Sequence, residues 1–315
     1  MSATLSAMAN GRISRVLVSG SSGLVGSALV PLLKAGGMRI ARLTRPGATP
    51  REAPDEEQVL WDPAKAIAPD AVSGFDAVIH LAGESIVGRW TAAKKARIRN
   101  SRIAATQFLS QSLAESKVKP SAFVSASAIG YYGHRGDEVL TEQSGAGTGF
   151  AADLAREWEA ATAAAEHAGI RTAQMRIGIV MGTHGGALPQ MLPAFKIGLG
   201  GRLGSGTQWM SWVDVRDVAA AIQHVLKTDS LRGPINLAAP NPVTNAEFSR
   251  ILARVLSRPA AFPMPAFVAR LAFGEMADEL LLASQRIDPA KLVRGGYSFQ
   301  FGELRPSLET LLQKP

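Results

Sequence analysis

RVLVSGSSGLVGSALVPLLKA, residues Arg15 to Ala35, passes from one periodicity to another within a few residues. RVLVS is a short apolar run of strand length, and from Leu24 the apolar side chains recur at helical spacing until Gly36 and Gly37 stop them. Between the two, GSSGLVG sets Gly20, Gly23 and Gly26 three residues apart. Strand, glycine turn and helix in that order suit a diphosphate. One glycine makes the tight turn, one lets backbone amides approach the phosphates, and one lets the helix pack against the strand. The spacing alone is a weak signal, because an ordinary glycine-rich turn reads the same way, but its place between a strand and a helix favours the nucleotide reading. On that reading Gly20, Ser21, Ser22, Gly23, Leu24, Val25 and Gly26 surround the phosphates. Pro31 falls inside the helix, where it removes a donor and crowds the Ser27 carbonyl, so a kink or break is expected there.

The same alternation continues along the chain. MRIARLTR (38–45), FDAVIHLAG (75–83), SAFVSASA (121–128) and RTAQMRIGIVMG (171–182) read as further strands, with helical stretches between most of them and GPINLAAP (233–240) as a late strand. This predicts an α/β chain, a Rossmann-type doubly wound parallel sheet. Residues 181–206 change texture to glycine and proline around a short amphipathic segment, which suggests a loop or lid on the substrate side. SWVDVRDVAAAIQHVLK (211–227) returns to a helical pattern, with Asp214 or Ser211 near its cap and Asp217 structural. From Ala246 the chain reads as mainly helix, broken by prolines near Phe262 to Pro265. The expected organisation is a flexible tail over 1–14, a nucleotide-binding domain over 15–180 to which 207–240 return, and a smaller, mainly helical substrate lobe from 181–206 and 241–315.

Composition narrows the function classes. The 315 residues include no cysteine, which excludes disulfides, thiolate metal sites and thiol nucleophiles. His134 and His184 lack partners at metal-like spacing, so no metal is expected. The formal charge of +8 comes from cations scattered among acids. Scattered charge argues for a small anionic or polar substrate and against nucleic acid. No apolar run approaches ~18 residues and the first stretch lacks a signal peptide's apolar core. A soluble, cytoplasmic protein with no membrane partner is expected, and a homodimer is left open.

The end of the second strand, ARLTRPG, places Arg42, Thr44 and Arg45 where an NAD site commonly carries an acid for the ribose hydroxyls. Arginine there suits a 2′-phosphate, so NADP(H) is expected over NAD(H), although a single arginine at a strand end can also simply face water.

Taken together, GSSGLVG, LTR, WDP (61–63), HLAGESIVGRW (80–90), SASAIGYYG (125–133), RIGIVMGTHGGALPQMLPAF (176–195), GLGGRLGSGTQWMSWVDVRDV (198–218) and GEMADELLLASQRIDPAKL (274–292) make the chain resemble the extended short-chain dehydrogenase/reductase superfamily. Within it the chain is similar to the atypical, YfcH-like epimerase family, which couples the nucleotide fold to a C-terminal domain of unknown function. The resemblance runs from about Arg15 to the end. It implies that Gly20, Gly23 and Gly26 cradle the pyrophosphate, that Arg45 with Arg42 holds the 2′-phosphate, and that Asp62 lies near the adenine. It also implies that Leu81, Ala82 and Gly83 pass along the cofactor and that Ser125 and Ser127 face the nicotinamide, with Arg176 counted in the same cofactor set.

The superfamily's Tyr-x-x-x-Lys pair, in which lysine lowers the tyrosine's pKa and holds the ribose, has no counterpart here. The only tyrosines are Tyr131, Tyr132 and Tyr297, none with lysine four residues on, and the best match for the pair is Phe150 and Leu154. Ser127 with Tyr131 or Tyr132 is the remaining catalytic set, the tyrosines equally open to a packing role. Glu84, Lys196 and Arg202 are the candidates for substrate contact, and His80 reads as a core histidine. Two readings follow. One is an NADP-dependent oxidoreductase or epimerase-like enzyme acting on a carbonyl or secondary alcohol, possibly of a sugar nucleotide. The other is a non-catalytic NADP-binding or sensing protein that has lost the pair.

Overall fold

The computed structural model describes residues 13–47 and 56–313, so the tail expected over 1–14 lies almost wholly outside the described residues. Seven parallel strands form the main sheet: β1 (Arg15–Ser19), β2 (Arg39–Thr44), β3 (Glu57–Leu60), β4 (Ala77–His80), β5 (Ala122–Ala128), β6 (Arg171–Ile177) and β7 (Gly233–Leu237). Their spatial order is β7-β6-β5-β4-β1-β2-β3. The chain starts in mid-sheet, builds one side through β2 and β3, then crosses back to β4. The strand order therefore reverses between β1 and β4, and ligands of doubly wound sheets bind beyond the carboxyl ends at such a reversal.

Apolar side chains on both faces explain the burial of the central strands. On one face α1 (Leu24–Ala35) packs against α6 (Val215–Lys227), with Leu29, Leu33, Val218, Ile222 and Val225 buried among Val16, Val18 and Ile79. On the other, Leu109 and Leu113 of α3 (Ala105–Glu115) bury against Leu17, Val78 and Phe123. Truncating any of these leucines to alanine should cost ~2–5 kcal/mol.

A third core lies in the C-terminal part. Trp212, Phe248, Leu252 and Leu308 meet there, joining α7 (Asn245–Val255) to α9 (Leu304–Leu312). The 181–206 stretch contributes α5 (Leu188–Lys196), whose Leu188 and Phe195 are buried in the same core. It is a packed element more than an open loop. Helix α8 (Ala266–Phe273) follows the proline-rich break.

Local readings change at four places. β3 has no counterpart among the expected strands: it is a four-residue edge strand with mostly exposed side chains, so its sequence shows no apolar pattern. The expected strand 171–182 is two strands: β6 ends before Gly178, whose Cβ position lies 2.5 Å from the Ser211 carbonyl oxygen, and Ile179–Met181 pairs instead with Trp212–Asp214. The first residues of the supposed helix at 211 are thus strand, and α6 starts after Asp214, which accepts from the Arg216 amide as its cap. Helix α1 runs unbroken through Pro31, which is exposed, so the bond lost at the Ser27 carbonyl falls where water can replace it.

Candidate nucleotide site

The carboxyl ends of β1, β2 and β4 converge on a cleft of about 370 Å³. It is lined by Ser19 to Gly23, Arg42 to Arg45 and Leu81 to Glu84, with Glu56, Gln58, Trp61, Pro63 and Ser101. The three glycines do different things. Gly20 has φ +68° and its Cβ position lies 2.6 Å from the Leu81 carbonyl carbon, so only glycine lets β1 leave the sheet that close to β4. A Cβ on Gly26 would sit 2.3 Å from the Gly20 oxygen, so Gly26 closes the turn from behind. Gly23 has ordinary φ, and its Cβ position meets only the Gly20 oxygen at 3.3 Å; its bareness opens the cleft. Leu24 packs away from the cleft against Gly182 and Gly186, and Val25 packs against the core, which removes both from the cleft wall where they were expected.

Ser19 ties the β1 and β4 ends together. Its Oγ accepts from the Leu81 and Ala82 amides at 3.2 and 3.4 Å and lies 2.6 Å from His80 Nδ1; with both oxygen lone pairs taken by the amides, the hydroxyl proton is assigned to Nδ1. With Nδ1 accepting, the imidazole is neutral and its proton is on Nε2, a buried atom with no partner among the described residues, beside the Trp61 ring. Burial holds the His80 pKa down at about 4. His80 is therefore the core histidine that the sequence suggested, lying beneath the cleft.

The β2 end is more elaborate than its sequence. Arg42 is buried and bound by Glu56, which also pairs with Lys34. The Arg42 hydrogen bond, opposed by burial and aided by Lys34, lowers the Glu56 pKa to about 2. The reading that this strand end has no acid is thus corrected: the acid comes from the next strand's approach. Arg42 Nη1 and Thr44 Oγ1 are nevertheless buried with no partner among the described residues, and Arg45 is exposed at the cleft's edge. Two polar atoms with no partner among the described residues and an exposed guanidinium around a glycine cradle form a set that a phosphorylated adenosine half can satisfy. Asp62 faces water beside Lys65 at 3.6 Å and does not line the cleft; its neighbours Trp61 and Pro63 do.

At the other end Glu84 lines the cleft and accepts from Lys94 Nζ at 2.8 Å, a bond that lowers its pKa. Arg102, within a π-helical turn (Asn100–Ala104), lies under Gly83 and donates to the Glu84 carbonyl at 2.9 Å. Burial lowers its pKa to about 10, with Glu84 opposing the shift. Lys196 and Arg202 are exposed and line no part of this cleft, so the structure does not bring them to it.

β5 runs parallel to β4, so Ser125, Ser127 and the turn Ile129–Tyr132 emerge at the same sheet edge. Ser125 turns its hydroxyl to its neighbour's carbonyl. Ser127 donates to Glu159 Oε1 at 2.7 Å, and Glu159 receives Arg176 Nε and Nη2, both at 2.8 Å. The serine hydroxyl is therefore the donor in this bond, with the carboxylate accepting from both sides. Its expected role of polarising a substrate oxygen is corrected accordingly. Arg176 is corrected as well: it is 2% exposed, and its Nη1 donates to the Tyr132 hydroxyl at 2.9 Å, away from the cleft. Burial acts against the Arg176 charge, but Glu159 outweighs it and the net shift is upward.

The two tyrosines separate. Tyr132 is fully buried and donates to Asn236 Oδ1 at 2.7 Å, and burial raises its pKa. It is a core residue and is withdrawn as a proton donor. Tyr131 is half-buried, its ring 3.5 Å from the Arg176 guanidinium, and its hydroxyl makes no hydrogen bond to a described residue. At the positions matched to the missing pair, Leu154 is buried and Phe150 packs on Trp90, 5.0 Å between rings, in an apolar cluster with Met276. Both residues lie on α4 (Phe150–Ala160), whose first amides are capped by Glu279 at 2.9 and 2.8 Å.

The sequence comparisons agree with this architecture. Residues 16–238 match the NAD dependent epimerase/dehydratase family and residues 264–311 a domain of unknown function, DUF1731. An epimerase family protein of Mycobacterium bovis is 41% identical over 302 residues, covering 95% of this chain and 98% of its own length. Human epimerase family protein SDR39U1 (isoform 2), solved with NADPH, superposes with a TM-score of 0.84 at 31% identity, over 94% of this chain and 98% of that one. A nucleoside-diphosphate sugar epimerase from Corynebacterium glutamicum gives 0.78 at 36% identity, over 96% of this chain and 59% of its own. The chain belongs to the NAD dependent epimerase/dehydratase family, in the extended short-chain dehydrogenase/reductase superfamily, and carries that domain of unknown function at its C-terminal end.

Proposed function

We propose that the chain is an NADP(H)-dependent enzyme that moves hydride to or from a carbonyl or secondary alcohol of a small polar substrate. The observation that carries this reading is the cleft itself: a glycine cradle at the strand-order reversal, ending at Arg42, Thr44 and Arg45. The NADPH named with the human relative supports the phosphorylated cofactor. Bound there, the nicotinamide supplies or accepts the hydride. Gly20 to Gly23 hold the diphosphate, Arg45 answers the 2′-phosphate, and Ser19 keeps the Leu81–Ala82 backbone against the cofactor. Tyr131 holds the proton that accompanies hydride, its ring fixed by Arg176. The test is NADPH oxidation against a panel of sugar nucleotides and small carbonyl compounds. Tyr131→Phe should lower turnover about a hundredfold or more; unchanged turnover sinks Tyr131, and no oxidation with any member contradicts the enzyme reading.

A second reading, a non-catalytic NADP-binding protein, is favoured by one observation: Phe150 and Leu154, at the positions of the usual pair, are built into an apolar cluster and carry no proton-transferring group. On that reading NADPH changes the protease sensitivity of residues 181–206, and insensitivity to NADPH would count against it.

A further inference from the structure

The C-terminal part carries an apolar surface that lies outside the nucleotide cleft. Phe267 and Leu271, one turn apart on α8, are 68% and 75% exposed, and Ile197, Leu199 and Phe262 are each more than half exposed. The segments bearing them are joined. The Met264 amide donates to the Arg202 carbonyl at 2.9 Å, the Gly204 amide to the Met264 carbonyl at 2.8 Å, and the Gly201 Cβ position abuts the Phe262 carbonyl. Residues 257–265 are exposed throughout. Single apolar side chains on a surface need no explanation, but a group of large ones on hydrogen-bonded neighbouring segments marks an interaction site.

Charge chooses the partner. Across 183–208 and 248–274 the chain has no aspartate or glutamate, and its cations adjoin the exposed apolar side chains: Lys196 precedes Ile197, Arg270 precedes Leu271, and Arg258 precedes Pro259, whose ring lies against Gly198. Arg270 pairs with Asp278 at 2.9 Å; Lys196, Arg254 and Arg258 are exposed and pair with no acid among the described residues. A second copy docked about a twofold axis would set this cationic rim against itself. An anionic phospholipid surface takes phenylalanine and leucine into the boundary between headgroups and acyl chains while its phosphates meet the cations. We propose that this face docks the protein on an anionic phospholipid surface. No described helix is long and apolar enough to cross a bilayer, so the contact is peripheral. The expectation of no membrane partner looked only for continuous apolar runs, whereas this surface is assembled from two distant segments.

The test is sedimentation of the full chain with vesicles of phosphatidylglycerol and phosphatidylcholine, and with phosphatidylcholine alone. The protein should sediment with the anionic vesicles in a salt-sensitive way and stay in solution with the neutral ones. Phe267→Ser with Leu271→Ser should lower the bound fraction about tenfold or more without lowering the melting temperature, since both side chains are already in water. Arg254→Glu with Arg258→Glu should also release it, and leaves the apolar face intact as an independent check. No sedimentation with anionic vesicles, or sedimentation that both variants leave unchanged, overturns the proposal. A dimer by light scattering that the Phe267 and Leu271 variant dissolves, without vesicle binding, assigns the face to a second copy and overturns it too.

Discussion

Ser127 gives its hydroxyl proton to Glu159 across 2.7 Å, and Arg176 holds that carboxylate from the other side. The serine expected from the family resemblance to face the nicotinamide is thereby tied into a buried ionic network reaching Tyr132 and Asn236. Removing one charge leaves the other buried and unpaired. Glu159→Gln should therefore lower stability by about 3 kcal/mol in denaturant unfolding. Tyr132→Phe should cost ~1–3 kcal/mol, because Asn236 and Arg176 lose one partner among several. Equal, negligible losses would mean the network is not formed.

The glycines allow a paired test of structure against binding. Gly26→Ala places a methyl 2.3 Å from the Gly20 oxygen and should lower the melting temperature as well as nucleotide affinity. Gly23→Ala has ordinary φ and meets only the Gly20 oxygen at 3.3 Å, a contact relieved by a shift of a few tenths of an ångström, so the fold should survive while the methyl intrudes on the diphosphate. A Gly23→Ala protein that melts normally and binds NADPH as tightly as the parent would remove the cradle from the account.

Acid should act through His80. Its folded pKa is about 4 against an ordinary 6.5, because burial disfavours the cation. Between those values the unfolded chain binds the extra proton, so stability falls as pH drops from about 6.5 towards 4, by on the order of 3 kcal/mol at most. A protonated imidazole can no longer accept from Ser19, so the Leu81–Ala82 turn should loosen and nucleotide affinity should fall in the same window. His80→Gln should flatten this part of the stability profile; an unchanged slope would place the sensitivity elsewhere.

Restoring the missing pair by sequence alone should fail. Leu154 is 4% exposed among Trp90, Ile98 and Met276, and lysine there must bury its charge or lose it. Phe150→Tyr with Leu154→Lys should lower the melting temperature without raising turnover. A stable, more active double variant would show that the helix retains the superfamily's geometry.

Much of this was legible beforehand, for local reasons. The turn at Gly20, the alternation of strand and helix, Asp214 as a cap and His80 as a core residue are each written within a few neighbouring positions. What escaped depended on distance. Glu56 reaches Arg42 from across a chain connection, so the β2 end looked free of acid. Glu159 sits on an amphipathic helix where a glutamate ordinarily faces water, and only packing turns it onto Ser127 and Arg176. Arg176, Tyr132, Lys196 and Arg202 were named for residue type and neighbourhood, and those cannot tell a side chain aimed at a cleft from one aimed at the core or at solvent. Glu159 did leave one trace, a charge on the same helix as the buried Ala155 and Trp158.

The central claim is that the cleft binds a phosphorylated dinucleotide through Arg45. Titrating the protein with NADPH and separately with NADH, followed by nicotinamide fluorescence and repeated with Arg45→Ala, tests it most directly. The account predicts tighter binding of NADPH than NADH, a preference that the substitution cuts by about tenfold while leaving NADH binding unchanged. Equal affinity for the two nucleotides in both proteins, or binding of neither, would contradict it.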